Sequence, residues 1–131
     1  MSFSNTGERT LLDHIFKGTL MAQPTAITIG LSTADPLDTG GALAEPSGGS
    51  YARQTANSWN AAATNGAGQG EVTNNGDITF PEATGNWGTI THVAIFLDTV
   101  FWFRIALTTA KAITTGDVLK IASGTLKPQL D

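Results

Sequence analysis

Cysteine is absent from the chain. That removes disulfides, thiolate metal sites and thiol nucleophiles together, so stability has to come from packing or from partner subunits. Charge is scarce as well: 14% of residues are charged, against about 25% in an average soluble domain. The seven Lys and Arg residues never adjoin one another and the net charge is -4, which excludes the basic footprint of a nucleic-acid binder. No stretch approaches the ~20 consecutive apolar residues of a membrane-spanning helix. The start, Met1-Ser2-Phe3-Ser4-Asn5, lacks the cationic-then-apolar pattern of a secretory signal. A soluble product made in the cytoplasm is therefore expected.

Catalytic and metal-binding patterns are equally sparse. The two histidines, His14 and His92, form no His-x-His or His-Glu-x-x-His pair. His92 falls inside an apolar run and reads as a hydrogen-bonded core residue rather than a ligand. The carboxylates Asp35, Asp38, Glu45, Glu71, Asp77, Glu82, Asp98 and Asp117 are scattered. Most sit in turns, where Asp bonds local amides, rather than facing each other across a cleft as a glycosidase requires. Residues 35–45 have enough loop oxygens for a calcium site but not the regular ligand spacing. The glycine-rich stretch 66–70 lacks the lysine and following helix of a phosphate loop and reads as a mobile linker. The expectation is a protein without catalytic, cofactor or metal residues.

What is present is Thr, Ser, Asn, Ala and Gly around a hydrophobic fraction of 40% in 131 residues. One domain of this size can bury a real core. Neutral polar surfaces suit shells and fibres, although Thr and Gly are also ordinary strand and turn residues. Residues 5–17 read as the one convincing helix. Ser4 or Asn5 is a candidate cap, Glu8 follows Asn5 at capping-box spacing, and Gly18 is a natural stop. Leu11, Leu12, Ile15 and Phe16 form one apolar stripe, which is expected to cover a sheet or to dock on a neighbour.

From Ala26 the period becomes two. Strands are predicted over 26–32, 51–59, around Val72, and over 78–80, 89–98, 101–107, 118–122 and 125–130. Asn74-Asn75-Gly76-Asp77 reads as a hairpin turn, and 35–50 as a long connection of the kind that carries function. In strict alternation Val93, Ile95 and Leu97 oppose Ile90, Ala94 and Phe96, and Phe101, Phe103, Ile105 and Leu107 oppose Trp102 and Arg104. The fold predicted is mainly β: an antiparallel β-sandwich of jelly-roll type with one short N-terminal helix. Residues 1–18 form an arm and helix, and 19–131 a single sandwich domain.

Protein interfaces favour Trp, Tyr and Arg. The interface candidates are Ser2, Phe3 and Asn5 at the N-terminus, together with Arg53, Trp59, Trp102, Arg104 and the loop 35–50. Trp102 either projects as an anchor or packs beneath the helix stripe.

A wider pattern runs through Ser50-Tyr51-Ala52-Arg53-Gln54, Ile78-Thr79-Phe80-Pro81 and Asn86-Trp87-Gly88 through His92-Val93-Ala94-Ile95-Phe96. It ends at Gly116-Asp117-Val118 and Gly124-Thr125-Leu126. With these residues the chain resembles a family of small tailed-phage virion proteins, labelled capsid decoration (cement) or tail fibre proteins. One departure is Asp98-Thr99-Val100 after the Ile-Phe strand, where relatives carry a glycine turn. The resemblance implies a virion protein on the capsid surface, made in the host cytoplasm. It implies that this protein stabilises the assembled head by binding the major capsid protein and itself, as a homotrimer. A tail-fibre or tail-tip module that binds a host receptor is the alternative.

Overall fold

An extended arm gives way to the helix at Ser4, whose short side chain serves two partners. Its Oγ accepts the Gly7 amide at 3.1 Å and donates to the Phe101 carbonyl at 2.9 Å. The cap is therefore Ser4, not Asn5, and Glu8 lies one residue too far along for a capping box. The computed structural model describes residues 2–130. They form β1 (Ser2–Phe3), α1 (Asn5–Leu12), β2 (Ile27–Ser32), β3 (Gln54–Thr55), β4 (Ala63–Thr64) and β5 (Gly70–Glu71). Next come β6 (Ile78–Thr79), β7 (Gly88–Leu97), β8 (Val100–Ile113), β9 (Lys120–Ile121) and β10 (Gln129–Leu130). After Leu12 the helix widens into a π-helical turn, Asp13–Lys17, and stops at Gly18 with φ 75°. A left-handed residue at that point costs least as glycine.

The main layer is an antiparallel five-stranded sheet in the order β1-β8-β7-β2-β3. The second layer is assembled from loops and two small sheets, β10-β5-β4 and β6-β9. The protein is thus mainly β and sandwich-like, with one short helix. Most of the strands predicted for the second layer shrink to two residues. Loops carrying Phe80, Ala83, Trp87 and Leu126 fill the remaining space against Ile29, Leu31, Ile90, Val93 and Ile95. The arm expected as a separate element joins the sheet edge through β1.

Two register shifts correct the simple alternation. One lies between Ile90 and His92 and carries Ile90 into the same buried cluster as Val93 and Ile95. The other leaves Trp102 as an extra residue in β8, because Ile95 pairs with Phe103 but Phe96 with Phe101. Phe101 therefore meets Phe96 edge-on at 6.0 Å on the outer face, while Phe103 packs against the core. Bulges of this kind rotate every following side chain to the other face.

Three local readings also change. The stretch 66–70, expected as a mobile linker, instead turns the β4–β5 hairpin. Asn65 Oδ1 closes it by accepting the amides of Ala67 (2.9 Å) and Gln69 (3.0 Å). Asn74-Gly76 does not turn a hairpin: β5 and β6 pair with strands of different sheets, and Asn74 is buried. The β7–β8 hairpin turns without glycine, with Asp98 itself at φ 57°. Its Oδ1 accepts from Thr25 N (2.9 Å), Thr25 Oγ1 (2.8 Å) and Ala26 N (3.1 Å). Those bonds explain why an aspartate holds a position that glycine otherwise favours.

Gly30 is required for a different reason. A Cβ there would stand 2.6 Å from Glu45 Oε1 and 3.1 Å from the Phe96 ring. Gly30→Ala is expected to cost about 1–3 kcal/mol, read as a lower urea midpoint with an unchanged slope.

Candidate functional site

The outer face of the main sheet is covered by the chain's own loop. Residues 33–50 run over it, with Glu45 beside Gly30 and Gly40 beside the Phe101 ring, and two arginines fasten them. Arg53 grips Glu45 bidentately (Nε–Oε1 2.9 Å, Nη2–Oε2 2.7 Å) and lies 3.6 Å over the Phe96 ring. Planar guanidinium suits both contacts at once. The Tyr51 hydroxyl donates to Glu45 Oε1 (2.7 Å) and accepts the Leu31 amide (2.9 Å). It thereby satisfies an edge N–H that the short β3 does not reach. Arg104 bonds Asp35 Oδ2 at 2.6 Å and Asp38 Oδ1 at 3.1 Å. The loop that offered oxygens for calcium thus spends its carboxylates on protein cations.

Seen this way, the candidates separate. Ser2 sits opposite Arg104 in the β1–β8 register. The Phe3 ring lies against Phe103 (4.8 Å) and Trp102 (5.5 Å). The Asn5 amide donates to the Asp38 carbonyl at 2.9 Å. Arg53 and Arg104 are loop clamps. Trp102 does not project: it is 8% exposed, beneath Phe3 and against Gly7, where a Cβ would stand 2.9 Å from its ring. It packs under the first turn of α1, not under the Leu11–Phe16 stripe. Trp59 is half-buried, with its indole N–H on the Ala56 carbonyl at 2.7 Å. His92 is half-buried and shares a 2.9 Å bond with Thr91 Oγ1.

Two surfaces remain that the sequence reading did not bring together. The first is the helix stripe. Because α1 packs through Gly7, its other side is open: Leu12, Ile15, Phe16 (81% exposed) and, just beyond, Leu20 (85%) face solvent. The second is an apolar groove of about 410 Å³ where the main sheet meets the β10-β5-β4 sheet. Ile27, Trp59, Val72, Leu97, Phe103 and Leu130 line it. Only the pairing of residues remote in sequence creates this groove, so periodicity carried no sign of it. Both surfaces are apolar and open to solvent.

Electrostatically the chain is a set of carboxylates held ionised. Asp98 is held below its usual range by Thr25 and the Ala26 amide, Asp35 by the Leu37 amide and Arg104, and Asp77 by the Ser123 amide and Lys120. The Gln129 and Asn65 side chains do the same for Glu71. Burial alone would raise Glu45, but Arg53 and Tyr51 outweigh it and the net shift is downward. Burial and the Glu45 charge push the Tyr51 hydroxyl well above its ordinary value. Each lowered carboxylate adds stability that is fully present above the unfolded value, near about 4, and is lost as the pH falls through the folded one. The denaturation midpoint is therefore expected to be level at neutral pH and to fall below about pH 4. In Asp98→Asn the acid-side decline should be shallower. An equal decline in that variant would remove Asp98 from the linkage.

No curated protein sequence matches the chain. A family profile described as Podophage GP4 fiber I protein gp80 matches residues 2–129. With nearly the whole chain matched, the protein belongs to that family and is a structural protein of a phage virion.

Proposed function

We propose that the chain is a building block of a tail fibre, acting through protein–protein contacts and not through catalysis. The observation that carries this reading is the fibre description of the family matched over residues 2–129. It favours the tail over the capsid surface, so contact with the major capsid protein becomes the lesser reading. The open helix stripe and the apolar groove supply surfaces for assembly, and self-association, as in a homotrimer, is the simplest use of them.

Copy number in purified virions, counted by quantitative mass spectrometry against the major capsid protein, tests the assignment. A small fraction of the capsid count, with antibody label at the tail, is expected. A ratio near one would place the chain on the shell and overturn the fibre reading.

A further inference from the structure

We propose that Asn75 is a site of spontaneous covalent modification. Its side-chain amide is lost by cyclisation onto the Gly76 nitrogen, and hydrolysis leaves an isoaspartyl or aspartyl residue in its place. The inference stands apart from the fibre reading and from any partner of the chain.

The sequence contains two Asn-Gly pairs, Asn65-Gly66 and Asn75-Gly76. The pairing matters because glycine has no side chain to keep its nitrogen away from the preceding side-chain carbonyl. By that criterion the two sites are equal, and the fold separates them. Asn65 spends both ends of its amide inside the β4–β5 hairpin. Its Oδ1 accepts the amides of Ala67 and Gln69, and its Nδ2 donates to Gln69 Oε1 at 3.2 Å and Glu71 Oε2 at 3.3 Å. Cyclisation there first has to turn the side chain away from all of these partners. Asn75 is exposed, and its side chain makes no hydrogen bond to any described residue. It lines a small polar pocket, about 160 Å³ and open to water, together with Asn57, Ser58 and Asp77. Gly76 stands in open space, where an added Cβ would meet nothing within 4 Å. Its N–H donates to Ser123 Oγ at 2.9 Å, and that is the bond the attack gives up.

The reaction consumes only water. Hydroxide removes the Gly76 amide proton, and the nitrogen attacks Asn75 Cγ. The N–Cγ bond forms, the Cγ–Nδ2 bond breaks, and Nδ2 leaves as ammonia with a proton returned by water. The product is a five-membered cyclic imide. Water then adds to one of its two carbonyls. Opening at the main-chain carbonyl leaves isoaspartate, and opening at the side-chain carbonyl leaves aspartate. Either product adds one negative charge to the net -4. That charge arrives next to Asp77, whose carboxylate accepts the Ser123 amide at 2.8 Å and faces Lys120 at 3.6 Å. Isoaspartate also lengthens the main chain by one carbon between Asn74 and Gly76. Asn74 Nδ2 donates to the Gly76 carbonyl at 2.8 Å, and Asn74 Oδ1 accepts the Leu126 amide. The extra atom therefore falls inside the tie between 74–76 and 122–126. The modification is an irreversible clock that loosens the second layer from one exposed turn.

The test is to age the folded protein at mildly alkaline pH and follow both Asn-Gly peptides by mass spectrometry, with an isoaspartate-specific methyltransferase to label the rearranged product. Position 75 should convert about tenfold faster than position 65 or more, because each hydrogen bond that has to open lowers the reactive fraction by up to about tenfold. In urea-unfolded protein the two positions should react at similar rates. Aged wild-type protein should unfold at a lower urea concentration than fresh protein. Asn75→Gln, an exposed change whose longer side chain cyclises poorly, should keep its midpoint on ageing. Equal conversion of Asn65 and Asn75 in the folded protein would overturn the proposal. So would an Asn75 that stays intact in the folded protein while the unfolded chain reacts. Isoaspartate at position 75 with an unchanged urea midpoint would overturn the loosening of the second layer.

Discussion

Ile95→Ala is expected to lower stability by about 2–5 kcal/mol. Ile95 is 2% exposed in β7. It pairs with Ile29 on one side and Phe103 on the other, so its side chain is flanked across both neighbouring strands. It also stands directly before the register shift that sets Phe101 opposite Phe96. Truncation removes buried methyl groups and leaves a cavity that two long paired strands cannot collapse around. The same residue lines the inner end of the apolar groove. The void therefore opens toward a surface that is already apolar, and water gains little by entering. The thermal midpoint should fall by roughly 10 °C for a chain of this length. Leu97→Ala, half-buried at the groove, should cost clearly less. Equal losses at the two positions would show that β7 is not packed on one face as described.

Asn74→Ala is expected to cost on the order of 3 kcal/mol although it removes no apolar group. Asn74 is 1% exposed. Its Nδ2 donates to the carbonyls of Gly76 (2.8 Å) and Ala122 (3.1 Å), and its Oδ1 accepts the buried Leu126 amide at 2.9 Å. Its backbone bonds Leu126 and Gly124 as well, and it bridges to Trp59. The side chain thus ties 74–76 to 122–126, and the backbone of the same residue adds the Trp59 segment, where almost no regular secondary structure holds them. Alanine leaves the Leu126 N–H without a partner in the core, and that desolvation penalty is the larger part of the cost. Asn74→Asp tests the account, because a carboxylate keeps the acceptor but repels both carbonyls. It should be at least as damaging as alanine at neutral pH. An Asn74→Asp protein as stable as the parent in urea would show that the two donated bonds contribute nothing.

How much of this was legible beforehand depended on whether the cause was local. The helix and its stop at Gly18 were readable because capping and 3.6-residue periodicity act within a few residues. The strands β2, β7 and β8 were readable because their apolar residues recur at a period of two over many positions. The clash of Asp98-Thr99 with a glycine turn was visible, but its resolution was not. Asp98 relieves the turn through Thr25 and Ala26, more than seventy positions away. The register shifts beside Ile90 and at Trp102 were invisible too, since extra residues in one strand change no local propensity, and an odd number of them reverses every face beyond.

The sequence by itself determined the class of the molecule: a cysteine-free, weakly charged, mainly β chain with one amphipathic helix and the family signature around Tyr51, Trp87 and Phe96. Those properties follow from composition and short-range pattern. The tertiary structure alone decided which apolar and charged groups are left for partners. Trp102, Arg53 and Arg104 had the composition of interface anchors, but Trp102 is buried beneath Phe3, and the two arginines are engaged by Glu45, Asp35 and Asp38 of their own chain. Leu12, Ile15 and Phe16 had the pattern of a buried stripe, but Gly7 lets the opposite side of the helix approach Trp102 closely and leaves them outside. Exposure is a property of long-range contacts, and a helix of this length does not encode which of its sides another element will reach first.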